Sequence, residues 1–321
     1  MDVIFSHSPH VKSANSTKKI MINVVIALLP AFIMGVVYFG LSALIIVLTA
    51  VVSAILSEIV YLLIMKKNIK TILREFDFSS VVTGLLVGLV LGSNSPIYVP
   101  IFASVFAIIV VKMIFGGTGR NLVNPAIAGR VFVFLSFTSL LTSNWAMPFN
   151  NDITTGSTIL TDILSGTSTN ISNLDLFLGI GVAGCIGETC KLALLVGGIY
   201  LVIRGILNFR WPLLYILTTG IFTVIINGFD FSTFLPSILS GGLFLGAIFM
   251  ATDYVTSPCT KIGNYVYFIM LGILTALLRW ATGIEVVSFA ILLMNLVVPL
   301  IDKFIINRPF GYKKEAKNDW F

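Results

Sequence analysis

The stretch KKIMINVVIALLPAFIMGVVYFG, residues 18–40, decides the fold class. Two lysines precede an uncharged run from Ile20 to Phe39. At 1.5 Å per helical residue that run is about 30 Å long, the thickness of the hydrocarbon core of a bilayer. It is too long for the core of a signal peptide and shows no small-residue cleavage site, so it is expected to stay as a membrane span. The rest of the chain agrees. Of 321 residues, 57% are hydrophobic and 11% charged, with a mean hydropathy of +1.02. A soluble domain carries about a quarter of its residues as charges. A water-soluble globule is excluded, and an all-α polytopic integral membrane protein is expected.

Working outward from that first span, similar runs fit at Leu41–Met65, Ser79–Leu91, Ile97–Ile114, Ala126–Leu141, Gly187–Ile206, Trp211–Asn227, Phe234–Met250, Asn264–Ala281 and Val286–Ile305. That makes about ten spans of helical length. The third is short, which fits a tilted, broken or re-entrant element. Its sequence Val82-Thr83-Gly84-Leu85-Leu86-Val87-Gly88 supplies small residues for close helix contact.

Net charge is +6. In a membrane protein this charge reads as topology, because Lys and Arg concentrate on the cytoplasmic side of short loops, and no nucleic-acid role is expected. With the N-terminus inside, Lys12, Lys18, Lys19, Lys66, Lys67, Lys70, Arg74, Lys112, Arg120, Arg204, Arg210, Lys261, Lys303, Arg308, Lys313, Lys314 and Lys317 all fall at the inner face. The segment from Val131 to Cys190 has no Lys or Arg but carries Asp152, Asp162, Asp175 and Glu188, which places it outside. Arg279 argues mildly the other way, and Arg130 and Lys191 need pairing or snorkelling. Asp77-Phe78-Ser79-Ser80 before the third span is echoed by Asp230-Phe231-Ser232-Thr233 before the eighth. An offset of five spans puts the copies on opposite sides, as a 5+5 inverted repeat requires. The division expected is a cytoplasmic segment 1–19, a first membrane half 20–141, an outer loop 142–186, a second half 187–306 and a basic cytoplasmic tail 307–321.

The outer loop is rich in Ser, Thr, Asn, Asp and Gly, a composition of exposed turns. Connectors of this length are functional or unstructured. It contains Asp152-Ile153-Thr154-Thr155-Gly156-Ser157-Thr158-Ile159-Leu160, a hydroxyl among small residues with a carboxylate nearby. Composition alone gives a solvated linker; the sharper reading is a modification site reached by an external enzyme. The run Gly116-Gly117-Thr118-Gly119 lacks both GxGxxG and the Walker lysine, so a helix-ending bend before a new helix at Asn124-Pro125 is expected. Cys185, Cys190 and Cys259 lack metal or cluster spacing and read as small apolar residues. His7 and His10 are too isolated for a metal site. Charges in or beside spans, Glu58, Lys112, Arg130, Glu188, Lys191 and Arg279, are costly and raise a functional prior. Glu188 and Lys191, three apart, share one helical face if the sixth span has begun there and could then simply pair.

Nearly the whole chain resembles one family, the D subunit of the Rnf ion-translocating electron-transport complex and its sister, the B subunit of the sodium-pumping NADH:quinone reductase. The resemblance is carried by Ser8-Pro9-His10, Val82-Thr83-Gly84, Phe115-Gly116-Gly117-Thr118-Gly119-Arg120-Asn121-Leu122-Val123-Asn124-Pro125-Ala126 with Gly129, and Gly187-Glu188-Thr189. Met250-Ala251-Thr252-Asp253 with Thr256-Ser257-Pro258, Leu292-Leu293-Met294-Asn295 and Pro299-Leu300-Ile301-Asp302 complete it.

The resemblance implies an FMN joined through its phosphate to a threonine in Asp-x-x-(Ser/Thr)-Gly-Ala-Thr by a flavin transferase acting outside the cytoplasm. Asp152, Thr155, Gly156 and Thr158 match, with Ser157 in place of the usual Ala. Thr158 is the preferred acceptor; Asp162-Ile163-Leu164-Ser165-Gly166-Thr167-Ser168 offers Ser168 as the alternative. It also implies that the regions of Asn121, Asn124 and Asp253 lie in the protein core, where they could line a second, non-covalent flavin such as riboflavin. No metal site and no catalytic side chain are expected, since the cofactor carries the redox chemistry. The implied fold resembles that of urea channels. The implied function is an Rnf-type complex in a prokaryotic inner membrane, moving electrons between ferredoxin and NAD with Na+ or H+ transport, its partners being the A, B, C, E and G subunits. A small-solute transporter or channel with inverted repeats is the alternative, and a purely structural scaffold a third; covalent flavin separates them.

Overall fold

The first helix, α1 (Thr17–Ile64), runs 48 residues. Straight, it would measure about 72 Å, more than twice the bilayer core. In this computed structural model, which describes residues 16–143, 145–149, 153–154 and 172–306, α1 folds back on itself. Gly40 leaves the helix at φ 67°, ψ −150°, a conformation that glycine adopts without a Cβ penalty. Lys18 in the first arm lies 5.4 Å from the Phe78 ring, while Glu58 in the second arm bonds Lys112, which in turn bonds Ser79. Both arms therefore end beside residues 78–79, and Gly40 is the tip of a hairpin. The two runs expected at 20–39 and 41–65 are thus two antiparallel helices.

The end holding Lys18 is called the near end, the Gly40 end the far end. A short helix α2 (Ile69–Glu75) lies at the near end, and α3 (Ser79–Leu89) starts there. A Cβ on Gly84 would fall 2.6 Å from the Val51 Cα and one on Gly88 2.8 Å from that of Val47, so α3 packs backbone to backbone on α1. The small residues of the third run serve this close approach. The helix stops at Leu89, where the carbonyls of Leu89 and Leu91 accept from Gly187 and Ile186. The short third run is a helix of 11 residues that stops inside the protein.

The chain returns through α4 (Tyr98–Val105), which continues as a π-helix over Phe106–Met113. It then turns through the glycine-rich loop into α5 (Pro125–Ser136). Gly116, Gly117 and Gly119 all have positive φ, and Asn124 caps the Ala126 N–H with Pro125 in the first turn, the bend and restart expected from the sequence. This helix ends earlier than the run 126–141 suggested; α6 (Thr138–Ser143) follows as a separate turn.

Strands β1 (Trp145–Ala146) and β2 (Ile153–Thr154) pair antiparallel, Trp145 opposite Thr154, an exception to an all-helical fold. The Phe149 N–H donates to the Tyr38 carbonyl, which fixes this small ladder at the far end. A helix α7 (Asn173–Leu178) also stands there, its Leu178 carbonyl taking the Tyr38 hydroxyl at 2.6 Å. With Leu176 buried, this part of the loop departs from the exposed turns its composition predicted.

In the second half, α8 (Lys191–Ile203) begins four residues later than expected and reaches the near end, where the Tyr200 hydroxyl donates to Asn23. Then α9 (Arg210–Ile226) runs to the far end. After a 3₁₀ turn at Phe231–Thr233, α10 (Phe234–Leu239) breaks at 240–242. From there α11 (Leu243–Leu245) continues as a π-helix over Gly246–Met250, bent 67° from the first piece. Run length does not signal this second break. Two long helices finish the body, α12 (Lys261–Thr282) and α13 (Val287–Phe304).

Among the described residues, three helices are long and apolar enough to cross a bilayer, α1, α12 and α13, and the bent pair Phe231–Leu239 and Leu243–Met250 qualifies when taken together. Exposed Ile33, Val37, Leu48, Val52, Leu56, Ile199, Ile203 and Leu296 give the outer surface an apolar character suited to lipid. Lys19, Lys66, Lys67, Arg74, Arg120, Arg204, Arg210, Lys261 and Lys303 all lie in near-end segments. The two Asp-Phe-Ser copies lie at opposite ends, Asp77 near and Asp230 far.

Close packing of α3 on α1 predicts that Gly84→Ala destabilises the detergent-solubilised protein by about 1–3 kcal/mol, the range of overpacking. Gly184→Ala, with nothing within 4 Å of the added Cβ, should leave the melting temperature unchanged in the same thermal assay.

Candidate functional site

Two π-helical turns end side by side at the near end. The first carries Lys112 and the second Met250, and π-turns are enriched at functional sites. Asn124 joins them: its side-chain NH2 donates to the Met250 carbonyl at 3.2 Å while its oxygen accepts from the Ala126 N–H. Asn295 on α13, with its amide oriented to accept from the Asn124 N–H at 3.1 Å and to donate to the Thr256 carbonyl at 3.2 Å, ties both loops to the last helix.

Between the loops lies a cavity of about 850 Å³ including its open mouth. Apolar walls come from α1, α3, α8 and the second π-turn, with Val24, Leu86, Leu201 and Phe249 among them. Polar groups enter from Thr118, Asn121, Asn124, Thr252 and Asp253, together with Lys112. The three residues expected at a second flavin, Asn121, Asn124 and Asp253, are therefore brought together. Apolar walls with a few convergent donors and acceptors are the make-up of a small-molecule site. Burial pushes the Asp253 carboxyl up from its ordinary range, against the Val255 N–H, the Thr256 hydroxyl and the Tyr254 N–H, which pull it down.

Behind the cavity wall runs a chain of charge. Lys112, 2% exposed, donates to Glu58 at 2.8 Å and to the Ser79 hydroxyl at 2.6 Å. Asp77 accepts from the Ser79 hydroxyl at 2.5 Å and from Thr118 at 2.6 Å. Burial would raise the Asp77 carboxyl, but the Ser79 and Thr118 hydroxyls, the Lys112 ammonium and the Ser79 N–H together hold it below its ordinary value.

A second charged cluster surrounds the break in the α10–α11 element. Arg130 pairs with Glu188 at 2.9 Å and Arg279 with Glu285 at 2.9 Å. Arg279 also donates to the Ser237 and Ser240 carbonyls, so a tethered guanidinium occupies oxygens that a broken helix would otherwise offer to a free cation. The expected Glu188–Lys191 pair does not form. Residues 187–190 are not helical, so the three-residue spacing no longer puts both on one face; Lys191 donates instead to the Thr189 carbonyl. These long-range partners were beyond sequence reading. The only signal was the cost of a charge in an apolar run.

Asp152, Thr155, Gly156 and Thr158, and the alternative Ser168, lie outside the described residues, as do His7 and His10. Ile153–Thr154, inside the motif, belongs to the far-end ladder. Cys185 and Cys190 are buried free thiols and Cys259 is an exposed one.

Residues 4–311 match the NQR2, RnfD, RnfE family, and the chain belongs to that family. It is 42% identical, over 99% of both chains, to the D subunit of the Na(+)-translocating ferredoxin:NAD(+) oxidoreductase complex of Acetobacterium woodii. It is 36% identical, over 96% of both, to the D subunit of the proton-translocating ferredoxin:NAD(+) oxidoreductase complex of Clostridium ljungdahlii. The D subunit of the ion-translocating oxidoreductase complex of Alcanivorax borkumensis is 33% identical over 99% of each.

Asn124→Ala removes a helix cap and the tie to Met250 together. It should cost about 1–3 kcal/mol in thermal unfolding, whereas Asn124→Asp keeps the cap acceptor and should lose less.

Proposed function

We propose that this chain is the D-type membrane subunit of an Rnf complex, which couples electron transfer between ferredoxin and NAD to Na+ or H+ translocation across a prokaryotic inner membrane. The observation that carries this reading is identity of 42% and 36% over nearly full length with the D subunits of two ferredoxin:NAD(+) oxidoreductase complexes. The two are named for different ions, so neither ion is assigned to this chain. Its partners are the A, B, C, E and G subunits, which would supply the iron–sulfur and nucleotide chemistry for which this sequence has no motif.

In this reading the body makes ten crossings as a 5+5 inverted repeat. The basic near end faces the cytoplasm, with both termini, and the far end faces outward. Support comes from the segregation of Lys and Arg at one end and from the Asp-Phe-Ser copies at opposite ends. FMN is attached to Thr158 on the outer side by a flavin transferase that recognises Asp152, Thr155 and Gly156. The phosphoester keeps the cofactor from dissociating between electron transfers.

A second, non-covalent flavin such as riboflavin occupies the near-end cavity. When bound it supplies one- and two-electron chemistry. The chain's own part is to hold and shield it. Asn121, Asn124 and Thr118 would border its polar edge, while Val24, Leu86 and Phe249 would exclude water.

With the flavin transferase co-expressed, the denatured chain should fluoresce in a gel under ultraviolet light, and Thr158→Ala should abolish the band while Ser168→Ala leaves it. A dark wild-type band would remove the flavin-carrying role and leave the transporter reading; a band lost only in Ser168→Ala would move the attachment site. Acid extraction should also release about one free flavin per chain, and Phe249→Ala or Asn121→Ala should reduce that amount. An extract with no free flavin would rule out the cavity site.

A further inference from the structure

Among the described residues, two charged side chains line the near-end cavity, Lys112 and Asp253. Their settings differ. The Asp253 carboxylate is answered locally, by the Thr256 hydroxyl at 3.3 Å and by the backbone N–H groups of Val255 and Tyr254. Lys112 projects from the last turn of the first π-helix and is held from behind, by Glu58 and by Ser79.

Glu58 stands on the second arm of α1, away from the cavity lining, and one of its oxygens, Oε2, is buried without a hydrogen-bond partner. The pair is thus asymmetric as seen from the cavity, with the cation in the wall and the anion behind it. Among the described residues Lys112 is the one cation in the lining, so its own contribution to the potential there is positive and little screened, opposed by the carboxylates of Glu58, Asp77 and Asp253. The ammonium is also fixed in place. Ser79 is shared with Asp77 and Thr118, and the Lys112 carbonyl accepts from the Gly117 N–H, which ties the same residue to the glycine-rich loop. A pair needed for stability alone would tolerate an apolar substitute of similar volume, and a buried ion pair is weak as a stabilising device.

We propose that Lys112 sets the redox poise of the ring bound in the near-end cavity, favouring the electron-rich form, and that Glu58 is the counter-charge that limits this effect. The assignment rests on the reading of the cavity as a flavin site. It makes Lys112 a potential-setting residue, with no role in binding strength as such.

The test uses the full chain carrying Thr158→Ala, so that the non-covalent flavin alone is followed in a spectroelectrochemical titration. Against that background Lys112→Met should move the midpoint to more negative potential by at least a tenfold change in the two-electron equilibrium, about 30 mV. Glu58→Gln should move it the other way, Glu58→Gln with Lys112→Met should fall between the two, and Lys112→Arg should stay near the parent. If Lys112→Met fails to fold or loses its flavin, the opposite shift in Glu58→Gln and the intermediate value of the double variant decide the matter. Midpoints that coincide across the series, with flavin retained, overturn the role of Lys112 and leave the cavity reading standing. A parent protein with no non-covalent flavin overturns both.

Discussion

An apolar slab has no water to satisfy an interrupted helix, so every break in a membrane helix must find its hydrogen bonds inside the protein. The described residues contain two such breaks, and each is sealed by a different device. Beyond α3, the carbonyls of Leu89 and Leu91 are taken by backbone N–H groups of residues 187 and 186. At 240–242, the free carbonyls of Ser237 and Ser240 are taken by Arg279, whose charge is in turn met by Glu285. The connection from one half of the chain thus closes the break in the first half, while a helix of the second half closes the other. The first of these seals ties the two halves together; the second lies within the second half.

Those seals have a consequence at the near end. In each half the piece beyond the break finishes in a π-helical turn, one at Met113 and one at Met250, and the chain leaves each through an irregular loop. Irregular backbone is tolerated at such depth where it is buried in protein or lines a cavity. Here the two loops do both. Asn124 and Asn295 satisfy their backbone groups on one side, and the cavity walls receive Thr118, Asn121 and Asp253 on the other. The same geometry that accommodates the breaks builds a polar-edged pocket among apolar helices.

Much of this was legible in the sequence because its cause is local. Apolar run length located the helices, Gly116 to Gly119 marked a bend, Asn124-Pro125 a helix start, and a Lys- and Arg-free stretch marked the far end. The short third run advertised an early stop because too few apolar residues remained to cross. The break at Ser240-Gly241-Gly242 escaped notice because the apolar run around it keeps full length; only the carbonyls it frees, and the arginine that answers them, reveal it. Glu188 was assigned to Lys191 on the assumption of a helix that in fact begins four residues later. Its true partner, Arg130, is 58 positions away, and no periodicity reports a contact of that range. Of the stretch Asp152 to Thr158, residues 153–154 stand at the far end, the end opposite the cavity.

Central to the proposed function is that the loop bearing Thr158 and the near-end cavity face opposite sides of one membrane. Single cysteines placed by Asn170→Cys and Lys66→Cys in a cysteine-free chain test this most directly, using a membrane-impermeant maleimide on intact cells. Labelling is expected at 170 from outside and at 66 only after the cells are opened. Labelling of 66 in intact cells, or protection of 170, would contradict it.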